Sequence, residues 1–261
     1  MSDQAITRRV AIITGASRRQ GIGAAICRAL ATRGCDILFT HWSAADAWSP
    51  DPEGPPTLLS ELRALGVHAG SISVDLADAN AATVVLDAVM QELGHPTILV
   101  NNAAHSTRDG FMALDAATLD AHYAVNLRST ALLSVEFARR HVSYREQAAG
   151  TAAQIINMTS GQGLGPMPGE LAYIATKGAI DALTVTLAAE LAPHQITVNA
   201  VDPGATETGW MTPDVAAKLR GQSPTGQIGQ PEDAARLVAF LASDEAAWIT
   251  GQVIRSRGGM G

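Results

Sequence analysis

Short runs of aliphatic and β-branched residues alternate with longer alanine- and leucine-rich segments along almost the whole chain. Alternation of this kind predicts parallel strands joined by helices on both sheet faces, because each parallel pair needs a right-handed crossover. The sequence therefore predicts a single-domain α/β protein with a doubly wound, seven-stranded, mostly parallel sheet. The predicted strands are Val10–Thr14, Asp36–Thr40, Ser71–Leu76, Ile98–Asn101, Gln154–Met158, Thr197–Val201 and Val253–Ile254. The clearest predicted helices are Gly23–Arg33, Ala81–Leu93, Leu119–His141, Ala172–Leu191 and Glu232–Ala242.

Two longer stretches interrupt this alternation without dividing residues 1–261 into two domains. Residues 43–57 contain WSPDPEGPPT. A domain boundary there would leave upstream only two strands and one helix, too little to close a core, so we predict an inserted loop. Residues 204–230 hold Pro213 and Pro224 around a short apolar piece. A loop of that length is usually functional, and we predict a substrate lid.

Composition excludes several classes of function. The net charge of −7 disfavours binding to nucleic acid or to an anionic membrane surface. The two cysteines, Cys27 and Cys35, are too few for a disulfide framework, and they fit buried thiols in a reducing compartment. The seven histidines lack metal-ligand spacing, so no metal is expected. No signal peptide or long uninterrupted apolar run is visible, and we expect a cytoplasmic protein.

A glycine-rich turn directly follows the first predicted strand and leads into the first predicted helix. It reads TGASRRQGIG over residues 14–23. Glycines at such a turn let backbone N–H groups and the positive helix end approach a pyrophosphate, because no Cβ stands in the way. The motif is weak by itself, and an ordinary tight turn is the alternative reading.

Tyr173 and Lys177 are four residues apart in a predicted helix, so they share one helix face a single turn apart. A nearby ammonium stabilises a phenolate, and we expect Lys177 to lower the pKa of Tyr173. The chain has only three tyrosines and two lysines, which makes a chance pair of this spacing rare. An apolar stripe of every fourth residue is predicted to pack on the far side of this helix: Ala175, Ala179, Leu183 and Leu187.

These motifs, in this order, resemble the short-chain dehydrogenase/reductase family over residues 9–259, nearly the whole chain. The glycine turn matches Thr-Gly-x-x-x-Gly-x-Gly except that five residues instead of three precede Gly21. Asn101-Asn102-Ala103-Ala104 resembles Asn-Asn-Ala-Gly with an alanine last, and Pro203-Gly204 followed by Thr208 resembles Pro-Gly-x-x-x-Thr. The chain resembles bacterial members of this family such as 3-oxoacyl-(acyl-carrier-protein) reductases.

The resemblance implies a Rossmann fold, a nicotinamide cofactor and hydride transfer to a carbonyl carbon. Tyr173 would give a proton to the carbonyl oxygen, Ser160 would also donate to it with Thr159 as fallback, Lys177 would bond the nicotinamide ribose, and Asn126 would position a water that returns the proton. Implied cofactor-binding residues are Gly15, Ser17, Arg18, Arg19, Gly21, Ile22, Gly23, Asp75, Leu76, Asn102, Ala103, Ala104, Tyr173, Lys177, Pro203, Gly204, Thr206 and Thr208. Implied substrate contacts are Ser160, Gly161, Met167, Tyr173, Trp210 and Met211, although the lid residues fit lid core equally well.

Charge near the second strand bears on the choice of cofactor. That strand ends in Phe39-Thr40-His41-Trp42 without a carboxylate, and Arg18 and Arg19 supply positive charge, which favours NADPH/NADP over NAD. The alternatives are that both arginines are only solvated, or that an acid of the following loop reaches inward: Asp46, Asp51 or Glu53. Asp75 matches the family residue that bonds the adenine amino group, but it also fits a cap for the helix beginning near Asp78.

The expected activity is reduction of a ketone to a secondary alcohol with NADPH. The substrate is a small carbonyl compound, free or carried on an acyl carrier protein. Relatives that accept such carriers have basic residues where this chain has Gly150-Thr151 and His194, although Arg139, Arg140 and Arg145 offer a substitute. The alternatives are an NAD-dependent alcohol or polyol dehydrogenase and a non-catalytic nucleotide sensor. The family also implies a homo-oligomer, a tetramer formed through the two long helices that flank the fifth strand.

Overall fold

A computed structural model of the chain describes residues 8–46, 49–146 and 152–260. It contains one seven-stranded sheet in the order β3-β2-β1-β4-β5-β6-β7, and every neighbouring pair is parallel, which confirms the predicted fold class. Strand order reverses between β1 and β4, where a crevice opens at the carboxyl ends of the strands. The strands are β1 Val10–Ile13, β2 Asp36–His41, β3 Ala69–Ser73, β4 Ile98–Asn101, β5 Ala153–Met158, β6 Ile196–Asp202 and β7 Val253–Arg255.

Helices cover both faces of the sheet, and each face has its own hydrophobic cluster. One cluster joins the sheet to α1, α2 and α8, and the other joins it to α3, α5 and α6. The helices are α1 Ile22–Thr32, α2 Gly54–Ala64, α3 Ala81–Glu92, α4 Ala116–His122, α5 Ser129–Arg145, α6 Leu171–Leu191, α7 Pro213–Gln222 and α8 Pro231–Leu241.

Two predicted loops contain helices that the sequence analysis missed. The predicted insert at 43–57 is too long by four residues, because α2 begins at Gly54 with prolines in its first turn. The predicted lid at 204–230 contains α7, whose first residue is Pro213 and whose Thr212 hydroxyl accepts from the Val215 amide at 3.3 Å. In both places proline indicated a loop, yet proline fits the first turn of a helix, where its missing N–H has no partner to lose.

The predicted helix Leu119–His141 is longer than expected and is not uniform. It begins at Ala116, where Asp115 accepts from the Thr118 amide, and it continues to Arg145. Between α4 and α5 the chain forms a π-helical turn, Tyr123–Arg128. Such turns carry one extra residue per turn and often occur at functional sites.

Helix α6 satisfies the length and composition of a membrane-spanning segment. It lies along β6, however, and its buried residues include Thr176, Lys177 and Thr184, so it is a core helix of this fold. The predicted apolar stripe is wrong for its first member, because Ala175 is exposed and the face that carries Lys177 is the buried one. Burial of this lysine bears directly on its chemistry.

Candidate active site

The glycine turn leaves no room for side chains at two positions. Gly15 has φ +74°, and a Cβ there would lie 2.6 Å from the Cα of Ala103. At Gly23 a Cβ would lie 2.5 Å from the Gly15 carbonyl oxygen and 2.7 Å from Asn102 Nδ2. The turn therefore packs backbone against backbone at the crevice between β1 and β4, and it presents the start of α1 to that crevice. This close approach is the arrangement that a bound dinucleotide requires.

The loop after β4 is tied to the glycine turn by side-chain hydrogen bonds. Asn102 Nδ2 donates to the carbonyl oxygens of Thr14 and Gly15 at 2.8 and 2.9 Å. The Thr14 hydroxyl accepts from the amides of Asn102 and Ala103, both at 3.0 Å. Ala104, which stands where the family has glycine, is exposed. Its methyl group is therefore accommodated without displacing this contact.

The two additional residues of the turn are anchored on three sides. Arg18 Nη1 donates to the Thr208 carbonyl at 2.6 Å, which joins the turn to the predicted lid. The Arg19 amide donates to Asp51 Oδ2 at 3.0 Å, and the Arg19 guanidinium pairs with Glu61 at 2.6 Å. A cavity of about 490 Å³ lies here, lined by Arg18, Arg19, Gln20, Arg28, Ser49, Pro50, Asp51, Thr208 and Gly209. Three arginines and the Asp51 carboxylate therefore line this cavity beside the turn.

One acid of the loop after β2 does reach inward, namely Asp51. Glu53 precedes α2 without a side-chain cap bond, and the Asp46 side chain lies outside the described part of the chain. Nearer the end of β2, the Ser17 hydroxyl accepts from the Trp42 amide at 3.1 Å, which ties the turn to this strand end.

Asp75 does not close the third strand, as the sequence suggested, since β3 ends at Ser73. Its Oδ1 accepts from the Ala77 amide at 2.9 Å. Helix α3 begins only at Ala81, so the alternative that Asp75 caps this helix is wrong. The side chain forms a local turn after β3, next to Leu76, which is buried.

Tyr173, Ser160 and Lys177 come together where β5 ends beside α6. Ser160 lies close enough to the Tyr173 hydroxyl to lower its pKa. Lys177 Nζ lies 5.6 Å from the centre of the Tyr173 ring and donates to the Met158 carbonyl at 2.7 Å. Tyr173 stands third in α6, so one helix end and one strand end position all three groups.

The pKa values of this pair differ from the sequence-based expectation. Burial raises the pKa of Tyr173 to about 12, the nearby Ser160 hydroxyl opposes that rise, and the charges of Glu170 and Asp202 add to it. Burial also lowers the pKa of Lys177 to about 8, against the effect of Asp181. The expectation that Lys177 lowers the pKa of Tyr173 is therefore wrong here. The ammonium lies over the ring and bonds a carbonyl, and desolvation dominates.

Asn126 lies in the π-helical turn and is buried, with its side chain fully engaged. Its Oδ1 accepts from the His105 amide at 2.6 Å, and its Nδ2 donates to the His105 carbonyl and the Thr176 hydroxyl at 2.9 and 3.0 Å. Its main-chain carbonyl accepts from Thr130 Oγ1 at 2.8 Å. The side chain therefore joins the loop after β4 to α6.

Sequence reasoning missed a network of charged groups behind these residues. Asp202, buried at the end of β6, accepts from Arg257 Nε at 2.7 Å and from the Gly204 amide at 2.9 Å. Thr159 Oγ1 donates to Asp181 Oδ1 at 2.5 Å, so Thr159 supports α6 instead of replacing Ser160. Asp181 was detectable, since it follows Lys177 by one helical turn; the pairing of Asp202 with Arg257 was not, since only the sheet brings them together.

The loop after β6 is braced by its own hydroxyl groups. Thr206 Oγ1 donates to the carbonyls of Pro203 and Gly204 at 3.2 and 3.3 Å. Further along, the Trp210 indole N–H donates to the Thr206 carbonyl at 2.9 Å, yet the ring remains exposed. Met211 and Met167 are half-buried. Trp210 is therefore not lid core.

The Arg257 guanidinium fills the space beside Gly161, where a Cβ would lie 1.5 Å from Arg257 Nη2.

Comparison with known proteins gives full-length matches. A family model described as Enoyl-(Acyl carrier protein) reductase matches residues 15–261. The uncharacterized oxidoreductase YjdA of Bacillus subtilis is 53% identical over 251 residues, 96% of each chain. The 3-oxoacyl-(acyl-carrier-protein) reductase FabG of Pseudomonas aeruginosa is 35% identical over 258 residues, 97% of each chain.

Solved structures with the same fold include two bacterial dehydrogenases. A putative short-chain alcohol dehydrogenase from Sinorhizobium meliloti superimposes with a TM-score of 0.85 at 29% identity, over 98% of this chain and 97% of that one. The acetoin dehydrogenase YohF from Salmonella typhimurium gives a TM-score of 0.82 at 31% identity, over 97% of this chain and 96% of that one.

Proposed function

The chain belongs to the short-chain dehydrogenase/reductase family of NAD(P)-dependent oxidoreductases, and on that premise we propose that it reduces a ketone to a secondary alcohol with NADPH. The observation that carries this proposal is the grouping of Ser160, Tyr173 and a buried Lys177 where β5 ends beside α6, with Lys177 Nζ 5.6 Å from the centre of the Tyr173 ring. Two hydroxyl groups side by side suit a carbonyl oxygen on which negative charge develops.

A protonated phenol suits the reductive direction. With a pKa of about 12, Tyr173 is protonated at neutral pH and acts as an acid. The nicotinamide, when bound, would supply the hydride for the carbonyl carbon. Tyr173 gives its proton to the carbonyl oxygen while Ser160 donates a hydrogen bond to it, so the products are the alcohol and the oxidised cofactor.

Lys177 and Asn126 then restore the proton. The pKa of Lys177, about 8, lets this residue exchange a proton near neutral pH and return one to the phenolate. Asn126 would position a water that supplies Lys177. Lys177 also has further N–H donors for the nicotinamide ribose.

Replacing Tyr173 with phenylalanine tests the activity. Tyr173→Phe removes only the acid, so we expect turnover of ketones to fall by about 10²–10⁴-fold while NADPH affinity stays within about twofold. NADPH oxidation measured over a panel of carbonyl compounds gives the rate, and fluorescence titration gives the affinity. Tyr144→Phe, far along α5, is the matched control and should behave as wild type. Equal activity in both variants would refute the assignment, and wild-type binding without turnover on the whole panel would favour a nucleotide sensor.

We propose NADPH as the cofactor because Arg18 lines the cavity beside the glycine turn. Ser17, Arg18 and the amides of the turn would hold phosphate groups, since guanidinium groups bind phosphate in two-point geometry. A specific observation favours NAD as the second candidate: the Asp51 carboxylate contacts the same turn, and a carboxylate there repels a 2′-phosphate.

The two cofactor assignments predict opposite results for Arg18→Ala. If Arg18 binds the 2′-phosphate, this variant should weaken NADPH binding about tenfold or more and leave NADH binding within about twofold. Arg236→Ala, an exposed arginine of α8, is the control. Equal losses for both cofactors would contradict the NADPH assignment. A gain in NADPH affinity for Asp51→Asn would identify Asp51 as the selecting group.

We propose a small free ketone as the substrate in preference to a carrier-bound one. Arg140 is paired with Glu136 and Asp87, and Arg145 donates to the His194 carbonyl and to Gln195 Oε1. Arg140 and Arg145 are thus engaged within the chain, and of the three arginines only Arg139 is exposed, which weakens the case for an acidic carrier. Gly150-Thr151 lies outside the described residues. Met167, Trp210 and Met211 offer apolar contacts for such a substrate.

We further propose that the enzyme works in the cytoplasm as a homotetramer. Cys27 and Cys35 are buried and free, as expected for a reducing compartment. Exposed apolar residues on the two helices that flank β5, Leu132, Leu171 and Val185, support contacts between copies.

A further inference from the structure

Helix α6 obtains its N-terminal cap from a residue far away in sequence. Glu170, the residue before the helix, makes no side-chain cap bond within the described structure. Instead Asp109, in the loop after β4, accepts from the amides of Leu171 and Ala172 at 2.6 and 2.9 Å, one bond to each carboxylate oxygen. A carboxylate is favoured there because the first amides of a helix lack partners and carry partial positive charge. Tyr173 is the next residue along the helix.

Further contacts hold the two segments together around this cap. The Asp109 amide donates to the Gly169 carbonyl at 2.9 Å, and Arg108 pairs with Glu170 at 3.2 Å. Gly169 has φ +83°, so the chain bends sharply there before entering α6. The bend and the cap together fix where the helix starts.

The loop that carries Asp109 begins at the cofactor crevice. Asn102 and Ala103 contact the glycine turn, the His105 main chain is held by the Asn126 side chain, and the Thr107 amide donates to His122 Nε2 at 3.2 Å. This segment therefore runs from the crevice to the first turn of α6 with fixed points along it. A shift of Asp109 would move Tyr173 relative to the cofactor crevice.

We propose that Asp109 is a positioning residue for the reaction: it holds the first turn of α6 so that the Tyr173 hydroxyl faces the cofactor crevice. The inference rests on the proposed function, since it gives Tyr173 the role of acid. It assigns Asp109 no contact with substrate or cofactor. Displacement of a reacting group by about 1 Å can reduce a rate about 10²-fold, which is the size of effect that such a residue controls.

Kinetics of Asp109→Ala test this role against a matched cap elsewhere. We expect kcat to fall about tenfold or more while NADPH affinity stays within about twofold, because the glycine turn is untouched. Asp115→Ala is the control. Asp115 accepts from the Thr118 amide at 2.8 Å and caps α4, so this variant loses a helix cap away from Tyr173. Asp109→Asn keeps an acceptor oxygen for one of the two amides and should recover part of kcat. A kcat for Asp109→Ala equal to that of Asp115→Ala overturns the proposal.

Hydrogen exchange separates this inference from the proposed function and also covers poor folding. In Asp109→Ala, amides of the peptide spanning 169–177 should exchange several-fold faster while those of β1 and β4 keep wild-type rates. Unchanged exchange in that peptide refutes the proposal that Asp109 holds the first turn of α6, whatever the kinetics show. If the wild type reduces no ketone, yet the peptide 169–177 exchanges faster in Asp109→Ala, the proposed reaction fails and the positioning of Tyr173 by Asp109 stands. Faster exchange throughout the protein in both Asp109→Ala and Asp109→Asn would show that Asp109 has a general structural role, and it would also refute the positioning role.

Discussion

The ion pair of Asp202 and Arg257 shows how a single buried charge depends on its partner. The Asp202 carboxylate is 2% exposed and bonds Arg257 Nε and the Gly204 amide, so it joins the end of β6 to the residues after β7. A buried carboxylate without a cation is strongly unfavourable, because the interior does not replace the lost hydration. The pair therefore holds the loop that carries Pro203 and Gly204.

We expect Arg257→Gln to destabilise the protein by about 3–5 kcal/mol, since it leaves the Asp202 charge buried without its cation. Urea denaturation followed by circular dichroism measures the free energy of unfolding. Arg236→Gln is the control, because Arg236 pairs with Asp233 at the surface and is 71% exposed. Arg236→Gln should lower the free energy of unfolding by no more than about 1 kcal/mol. Similar losses in the two variants would contradict a structural role for the buried pair.

At the scale of elements, the first turn of α1 depends on a glycine that lies inside the helix. Alanine usually stabilises a helix relative to glycine by about 0.5–1 kcal/mol. At Gly23, however, the added methyl group would meet the Gly15 carbonyl and the Asn102 amide. Packing between the helix start and the two crevice loops therefore overrides helix propensity.

Gly23→Ala should accordingly weaken binding of NADPH about tenfold or more, because the turn must open to admit the methyl group. Fluorescence titration with the cofactor measures this change. Gly221→Ala, in α7, is the matched control, since a Cβ there meets nothing within 4 Å. It should leave cofactor affinity within about twofold of wild type. Wild-type affinity in Gly23→Ala would show that the turn does not hold the dinucleotide.

For the whole molecule, the proposed tetramer predicts which exposed apolar residue is needed for assembly. Val185 on α6 is 53% exposed, and Val84 on α3 is 43% exposed. If α5 and α6 form the contact between copies, Val185→Glu places a charge in an apolar interface and should reduce the mass in solution, whereas Val84→Glu should not. Light scattering after size-exclusion chromatography measures the mass. A wild-type monomer, or equal effects of the two variants, would contradict this assembly.

The sequence by itself determined the seven strands, the two-faced sheet and the pairing of Tyr173 with Lys177, because these follow from local periodicity and from spacing within one element. It also located the glycine turn, whose residues are contiguous. The prolines of α2 and α7 led to a wrong prediction of loops, since the first turn of a helix and a loop both accept this residue. Only the tertiary structure decided the pKa values of the pair, the contact of Asp51 with the turn, and the partners of Asp109 and Asp202. Those depend on burial and on distances between residues far apart in the chain, which folding alone sets.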